Sequence, residues 1–296
     1  MATTTAPLHP DQRREVRELV AAAESTDGMA ALSEFKTMHL DGGLDIREHV
    51  LLNGVGIVVG YSQAAWHRSD DADGHWAIEV VAATGYRHSD AVLLLIDAMR
   101  GDLGGGRVTL WARSDYVGKA ALAGGWSMER KLWEMRRSLP IEALDTETPG
   151  ARVSTFRLGV DEERWLEVNN AVFAGHPENG NMTRRDLETR IAQPWFDPEG
   201  FFLAWSNDRL VASCWTKLHE DGVGEIYIVG VSPGWEGRGL GKNLVAVGLD
   251  HLGSDRSATQ AMLFVESSNL RATRLYERLG FRVARIISAY GHSPSG

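Results

Sequence analysis

The chain has 296 residues, more than one typical domain needs and suited to two of about 150 each. Its 43% hydrophobic and 24% charged content is that of a globular protein rather than a disordered or fibrous one, and a formal charge of -9 argues against general affinity for nucleic acid or a membrane surface. A single cysteine, Cys214, excludes an intramolecular disulfide and any thiolate-cluster metal site, which fits a reducing cytosol and gives no metal to expect.

The opening residues, MATTTAPLHPDQRREVRELV, have no apolar core of signal-peptide length, and no later run approaches the roughly eighteen apolar residues of a membrane span. A cytoplasmic protein is expected. The first half then offers a strand over Gly56 to Trp66 and a second over Trp76 to Val81. A polar turn, a helix over Ala91 to Met99, a strand over Arg107 to Ala112 and a helix reaching Gly125-Trp126 follow. Pro140 to Pro149, PIEALDTETP, is acidic, lacks periodicity and has proline at each end, as a linker would. It divides the chain into 1–140, a linker 141–150, and 151–296.

The second half repeats the order. Arg209 to Thr216 and Glu225 to Val231 read as strands, the latter apolar on both faces and so expected to be central and buried. A glycine turn follows, then a helix from about Gly239 to Leu252 that Gly253 can end in a left-handed cap. After it come a strand over Met262 to Val265, a helix over Asn269 to Leu279 and a strand over Phe281 to Ile287. The halves read as two copies of one fold, with Val81 to Ala91 aligning with Val231 to Gly241 at a constant offset of 150 residues.

The turn Glu236-Gly237-Arg238-Gly239-Leu240-Gly241-Lys242 between a strand and a helix is a phosphate-cradle arrangement, because glycine lets backbone approach an anion and a helix start offers unpaired N–H groups. It is neither Walker A nor the spacing of a dinucleotide site. Taken alone it could be only a tight connection. With the later stretch SSNLRATRLYERLGF, Ser267 to Phe281, it resembles the GCN5-related N-acetyltransferase superfamily. The resemblance implies an α/β (α+β) fold of two tandem domains, each a mixed, mostly antiparallel sheet flanked by helices.

It also implies that Val229, Gly230, Val231 and the turn from Glu236 through Gly237, Arg238, Gly239, Leu240, Gly241 and Lys242 hold acetyl-CoA. Asn269, Leu270, Arg271, Ala272, Thr273 and Arg274 would line the pantetheine and adenine end. Glu236 stands where the superfamily has Gln or Arg, and its carboxylate would repel a pyrophosphate unless it points away. Glu225 matches the general base and Tyr276 the acid that protonates the departing thiolate.

The peptides FAGHPENGNMT, WFDPEG, CWTKLH and GEIYIVGV resemble, more narrowly, the mycothiol synthase family, whose members acetylate the cysteinyl amine of a cysteinyl-glucosaminyl-inositol. This adds Glu34, Glu178, Lys217, Glu225 and Phe264 as acceptor contacts, Phe264 replacing a tyrosine and so lacking its hydroxyl. Acetyl-CoA and a small amine are the implied partners, with a monomer expected and no metal, nucleic acid or membrane. Another amine acceptor, such as an aminoglycoside or amino acid, and a non-catalytic acetyl-CoA-binding module stay open.

In the first half, Ser89 and Ala91 replace the glycines at 239 and 241, Asp90 stands beside the cradle, and Tyr116 aligns with Asn269. That copy is expected to be catalytically silent, with passive cofactor retention through Glu79, Val80 and Val81 left open. Cys214, in a predicted strand, is expected to be a packed core thiol.

Overall fold

Pro10 supplies the fixed φ of a first helical turn, and Gln12 closes a capping box with His9. Helix α1 (Pro10–Asp27) therefore starts sharply behind strand β1 (Ala2–Thr5). The computed structural model describes residues 1–5, 8–40, 46–67, 74–104, 106–140, 150–174 and 181–292. Next in chain order come α2 (Glu34–Met38), β2 (Ile46–Leu52), β3 (Val58–His67), β4 (His75–Ala82), α3 (Ser89–Asp102), β5 (Val108–Ala112), α4 (Asp115–Ala123) and β6 (Ser127–Ser138). They are followed by β7 (Arg152–Thr155), α5 (Glu162–Val172), α6 (Arg184–Ile191), β8 (Phe201–Ser206), β9 (Arg209–Leu218), β10 (Gly224–Val231), α7 (Leu240–Asp250), β11 (Gln260–Glu266), α8 (Leu270–Arg278) and β12 (Arg282–Gly291).

These elements make two compact units, Met1–Leu132 with Ile286–Gly296, and Trp133–Arg285. Strands β6 and β12 each divide between them. The linker expected at 141–150 lies, except for Gly150, outside the described residues.

In the first unit the strand order is β1-β2-β3-β4-β5, followed by the end of β12, whose Ser288 to Gly291 pair antiparallel with Ala112 to Thr109. All of these ladders are antiparallel except β4 with β5. Helix α1 covers one face over Val50, Val58, Tyr61 and Val81, and α3 and α4 cover the other over Ala64, Ile78 and Leu110. The alternation of strand side chains feeds both layers.

The second unit follows the order β6-β11-β10-β9-β8-β7, antiparallel from β10 to β7 and parallel between β10 and β11. Helices α7 and α8 pack over Val211, Ile226 and Leu263, while α5 and α6 pack over Leu203, Trp215 and Ile228. Ile226 and Ile228 would share a face in a regular strand. They do not, because the β10–β9 register shifts between them, and the bulge turns Tyr227 and Ile228 together toward the α5 and α6 face.

Two sequence expectations are corrected. Strand β10 is not buried on both faces, since Tyr227, Val229, Gly230 and Val231 are half-buried where β11 no longer covers them. Gly253 does not cap α7. The chain passes from Asp250 into a π turn, His251–Asp255, where the His251 ring is held by Asp255 at 3.0 Å and Asp197 at 3.3 Å, so the backbone stays helical through Gly253.

Helix α7 lies close enough to the sheet that a Cβ on Gly248 would sit 2.9 Å from Thr216 Cγ2 and 3.1 Å from Cys214 Sγ. Alanine gains about 1 kcal/mol in helix propensity over glycine, while overpacking costs roughly 1–3 kcal/mol. Gly248→Ala is therefore expected to lower the urea midpoint. An unchanged or higher midpoint would mean that the helix can lift without loss.

Candidate active site

Strands β10 and β11 pair at only two positions, Gly224 with Ala261 and Glu225 with Met262. Beyond Glu225 the strands part. The backbone N–H of Ser232 donates to Val211 O on β9 at 2.8 Å, and successive strand N–H groups alternate in direction, so the N–H of Val231 points to the opened edge. A backbone donor on that edge can polarise a carbonyl placed there.

The strand runs from this edge into the glycine turn. Gly237 and Gly239 have φ of 78° and 85°, a region costly for any residue with a Cβ, and Gly239 is the N-cap of α7 without any side chain to cap it. The first-turn N–H groups of a helix that lacks a side-chain cap are a natural anion receptor. Glu236, the residue out of keeping with a phosphate site, folds back so that its Oε2 accepts from Gly234 N–H at 2.7 Å. Its own N–H, those of Gly234 and Trp235, and the charge of Arg271 hold its carboxyl below the usual range. The carboxylate is thus engaged by its own loop and by Arg271, while Arg238 lies over the Trp235 ring at 4.3 Å. The turn fits a pyrophosphate.

Helix α8 starts at the Asn269 cap, whose side chain accepts from Ala272 N–H at 3.1 Å, and buries only Thr273 and Tyr276. Leu270, Arg271 and Arg274 are exposed and Ala272 half-buried. Gly280 at φ 85° ends the helix, and Phe281 N–H returns to Tyr276 O at 3.0 Å, the six-to-one bond of a Schellman motif. The Tyr276 and Phe281 rings meet at 6.0 Å, which is the apolar contact such a motif makes. Tyr276 is 7% exposed, and burial, with the neighbouring Cys214 adding, pushes its phenol well above the ordinary value. The phenol keeps its proton at neutral pH. Burial also pushes Cys214 up to about 12, so it is a core thiol.

On the α5 and α6 face, Lys217 of β9 stands opposite Glu225 in register, and the two are 8% and 6% exposed. The Lys217 ammonium lies 4.6 Å from the Trp195 ring centre and 5.7 Å from that of Tyr227, whose hydroxyl accepts from Arg190 Nε at 2.9 Å. Glu225 Oε2 is 2.7 Å from His219 Nε2. Phe264 on β11 is half-buried. Among the described residues no group of three or more His, Cys, Asp or Glu side chains is arranged to hold a metal, and no helix is long and apolar enough to cross a membrane.

The first unit carries the same elements in a closed form. At the 150-residue offset His75 is the counterpart of Glu225, yet the β4–β5 ladder continues through Glu79 and Trp111. Ala82 N–H donates to Tyr116 Oη at 3.0 Å, and Arg87 is held bidentate by Asp27 at 2.6 and 3.0 Å. Glu79, 3% exposed, accepts from Ser33 N–H at 2.6 Å and pairs with buried Lys36 at 3.5 Å. Val80 and Val81 face the core.

The comparisons with known proteins agree with this geometry. Residues 165–281 match the Acetyltransferase (GNAT) family. A mycothiol acetyltransferase from Catenulispora acidiphila is 41% identical over 288 residues, covering 90% of each chain. The chain belongs to the mycothiol acetyltransferase family. A GCN5-related N-acetyltransferase structure from Sphaerobacter thermophilus aligns over 98% of this chain and 95% of its own, with a TM-score of 0.70 at 21% identity. A tandem GNAT protein from the clavulanic acid biosynthesis pathway aligns over the full length of both, with a TM-score of 0.70 at 15% identity. Those two likenesses are of fold.

For this mycothiol acetyltransferase family member, the second unit holds Glu225 opposite Lys217, and in a separate core cluster Tyr276 of α8 packs with Val229, Val231 and Leu240 of the edge and the turn. Glu34, first residue of α2, and Glu79 to Val81 belong to the first unit, and Glu178 lies outside the described residues. The sequence reading missed His219 and the Trp195, Tyr227 and Arg190 wall around Lys217. The turn signal Asp221-Gly222 could have placed His219 near Glu225, because it folds the two strands into a hairpin.

His67 and His75 stack at 5.4 Å in the first unit. Burial lowers them to about 3 and about 4 from an ordinary 6.5, with Lys36 next in effect on the first and Arg107 on the second. Between those values and 6.5 the unfolded chain takes up protons that the folded chain refuses. Their contribution to stability is thus complete above about pH 6.5 and lost as the pH falls toward 3. The thermal midpoint should fall between pH 7 and 4 less steeply for a His67→Gln, His75→Gln variant than for the parent. Equal slopes would remove these rings as the cause.

Proposed function

We propose that this chain transfers the acetyl group of acetyl-CoA to the cysteinyl amine of cysteinyl-glucosaminyl-inositol, the last step of mycothiol biosynthesis, as a cytoplasmic enzyme. The observation that carries the reading is the parting of β10 from β11 beside the buried Glu225, in a chain of this family. An opened strand edge, an anion-receiving turn and a phenol on the next helix are what acyl transfer from a thioester to an amine asks of a protein.

The α-amino group titrates near 8, so much of it is protonated at neutral pH and cannot attack. Glu225 takes that proton, directly or through a water. The Val231 N–H polarises the carbonyl oxygen as the C–N bond forms and the C–S bond breaks. Tyr276 gives its phenolic proton to the departing sulfur, and the second proton that the nitrogen sheds as the amide forms returns to Tyr276 through solvent. The bound thioester supplies an activated acetyl group, and the turn from Glu236 to Lys242 with Asn269 to Arg274 would hold its carrier. Lys217 would take up the hydroxyl-rich part of the acceptor.

The first unit is read as catalytically silent and without cofactor, because Ala82 N–H, Arg87 and Glu79 already have partners within that unit. Activity with cysteinyl-glucosaminyl-inositol but none with glucosaminyl-inositol lacking the cysteine would support the acceptor, and equal rates on both would reject it.

Glu225→Gln should keep its affinity for acetyl-CoA within about twofold while its rate falls by roughly a hundredfold or more, most severely at low pH. Calorimetric titration should find one site per chain in that variant. A second tight site would refute the empty first unit, and a full rate would remove Glu225 as base. Tyr276→Phe should slow turnover by roughly tenfold to a hundredfold with little change in cofactor affinity. Unimpaired turnover would mean that solvent protonates the thiolate.

A further inference from the structure

A buried carboxylate that takes a proton in every turnover has to be held in one orientation and has to keep one oxygen ready for the acceptor. The hairpin between β9 and β10 does this for Glu225. His219 N–H donates to Val223 O at 2.9 Å and Gly222 N–H to His219 O at 2.9 Å, so the turn is closed at the residue that bears the imidazole. Leu218 pairs with Gly224 in the same ladder. His219 is thereby fixed one position beyond the last strand pair, on the side from which its ring reaches Glu225. The ring is 28% exposed and the carboxylate 7%, so the imidazole is the wetter of the two.

We propose that His219 is the positioning residue of the reacting carboxylate: its Nε2–H donates to Glu225 Oε2, fixes the plane of the carboxylate and leaves Oε1 to the acceptor amine. The inference rests on the reading of Glu225 as the base. A carboxylate oxygen only accepts, so the neutral ring must carry its proton on Nε2, with Nδ1 left as an acceptor. Among the described residues the other charged and titratable groups on this side include Lys217 of β9, Tyr227 of β10 with Arg190 of α6 on its hydroxyl, and Arg136 of β6, which reaches Met262 Sδ at 3.9 Å and pairs with Glu134. The turn adds Glu220 and Asp221, and β11 contributes the uncharged Met262 beside Glu225. All of these remain in a His219 variant, so a change in pH dependence reports the imidazole.

The test compares His219→Ala, His219→Gln and Glu225→Gln. A hydrogen bond donated to the ionised form of a carboxylate favours that form. In His219→Ala the acid limb of kcat/KM should therefore move to higher pH by about one unit and kcat should fall roughly tenfold, with acetyl-CoA affinity by calorimetry unchanged. His219→Gln keeps an N–H donor and should return the limb and most of kcat. Nitrogen NMR of the substrate-free protein at about pH 8 should find the proton of His219 on Nε2. An alanine variant whose acid limb stays in place overturns the proposal whatever its thermal midpoint, and so does a glutamine variant no better than alanine or a ring protonated on Nδ1. Any of these beside an inactive Glu225→Gln sinks the inference alone, whereas an active Glu225→Gln sinks the reading beneath it.

Discussion

A parallel pair of strands satisfies the backbone groups on its shared edge only while the ladder lasts, and between β10 and β11 it lasts for Gly224 and Glu225. Leaving strand backbone unpaired inside a domain is costly unless something else supplies the partners. The second unit arranges its other elements around that cost. The bulge after Ile226 turns Tyr227 and Ile228 to one face, and the glycine turn at the end of the strand leads into a helix start that is also short of acceptors. The last ladder position between β10 and β11 is Glu225, and beyond it β10 keeps only its β9 partner. A ligand bearing both a phosphate and an extended amide chain is the kind of molecule that would satisfy the edge and the helix start together.

The first unit shows what the same elements become when the edge is closed from within. Its parallel ladder runs on through Glu79, the N–H of Ala82 is taken by Tyr116, and Arg87 is clamped by Asp27. Short helix α2 is drawn onto the sheet by the buried Lys36 and Glu79 pair, and the backbone of Lys36 and His39 accepts from Gln63 at 3.2 and 3.1 Å. Glu34 lies two residues from Lys36, on a different side of the helix. Lys36 is buried there and Glu34 half-buried.

The parts of the site that were legible in the sequence are those that local rules decide. The glycines of the turn were read as letting backbone approach an anion, and Gly237 and Gly239 do take the positive φ that glycine allows. The helix expected over Asn269 to Leu279 is α8, Leu270–Arg278. The order of strands and helices announced a repeat. What stayed hidden depends on pairing across the chain. No local pattern fixes a register, so the bulge at Ile226 to Ile228 and the half-open state of Val229 to Val231 could not be read from an apolar run. The Trp195 wall comes from the segment after α6 and reaches Lys217 only in three dimensions. Glu236 looked like a fault in a phosphate site because its side-chain direction, which its own loop sets, is not a property of composition.

The division of β6 and β12 bears on how such a molecule could arise and be taken apart. Ser288 to Gly291, the far end of the chain, completes the first unit beside β5, and Arg136 near the end of the first copy holds Gln260 at 2.6 Å inside the second. Each copy has given its closing strand segment to the other. A backbone severed anywhere in 141–149 would not release two independent halves: the N-terminal piece would present Val108 to Ala112 as a bare edge, and the C-terminal piece would carry an orphan strand with an edge of its own to cover. Mixed together, the pieces have every reason to reassemble, and kept apart they have every reason to aggregate.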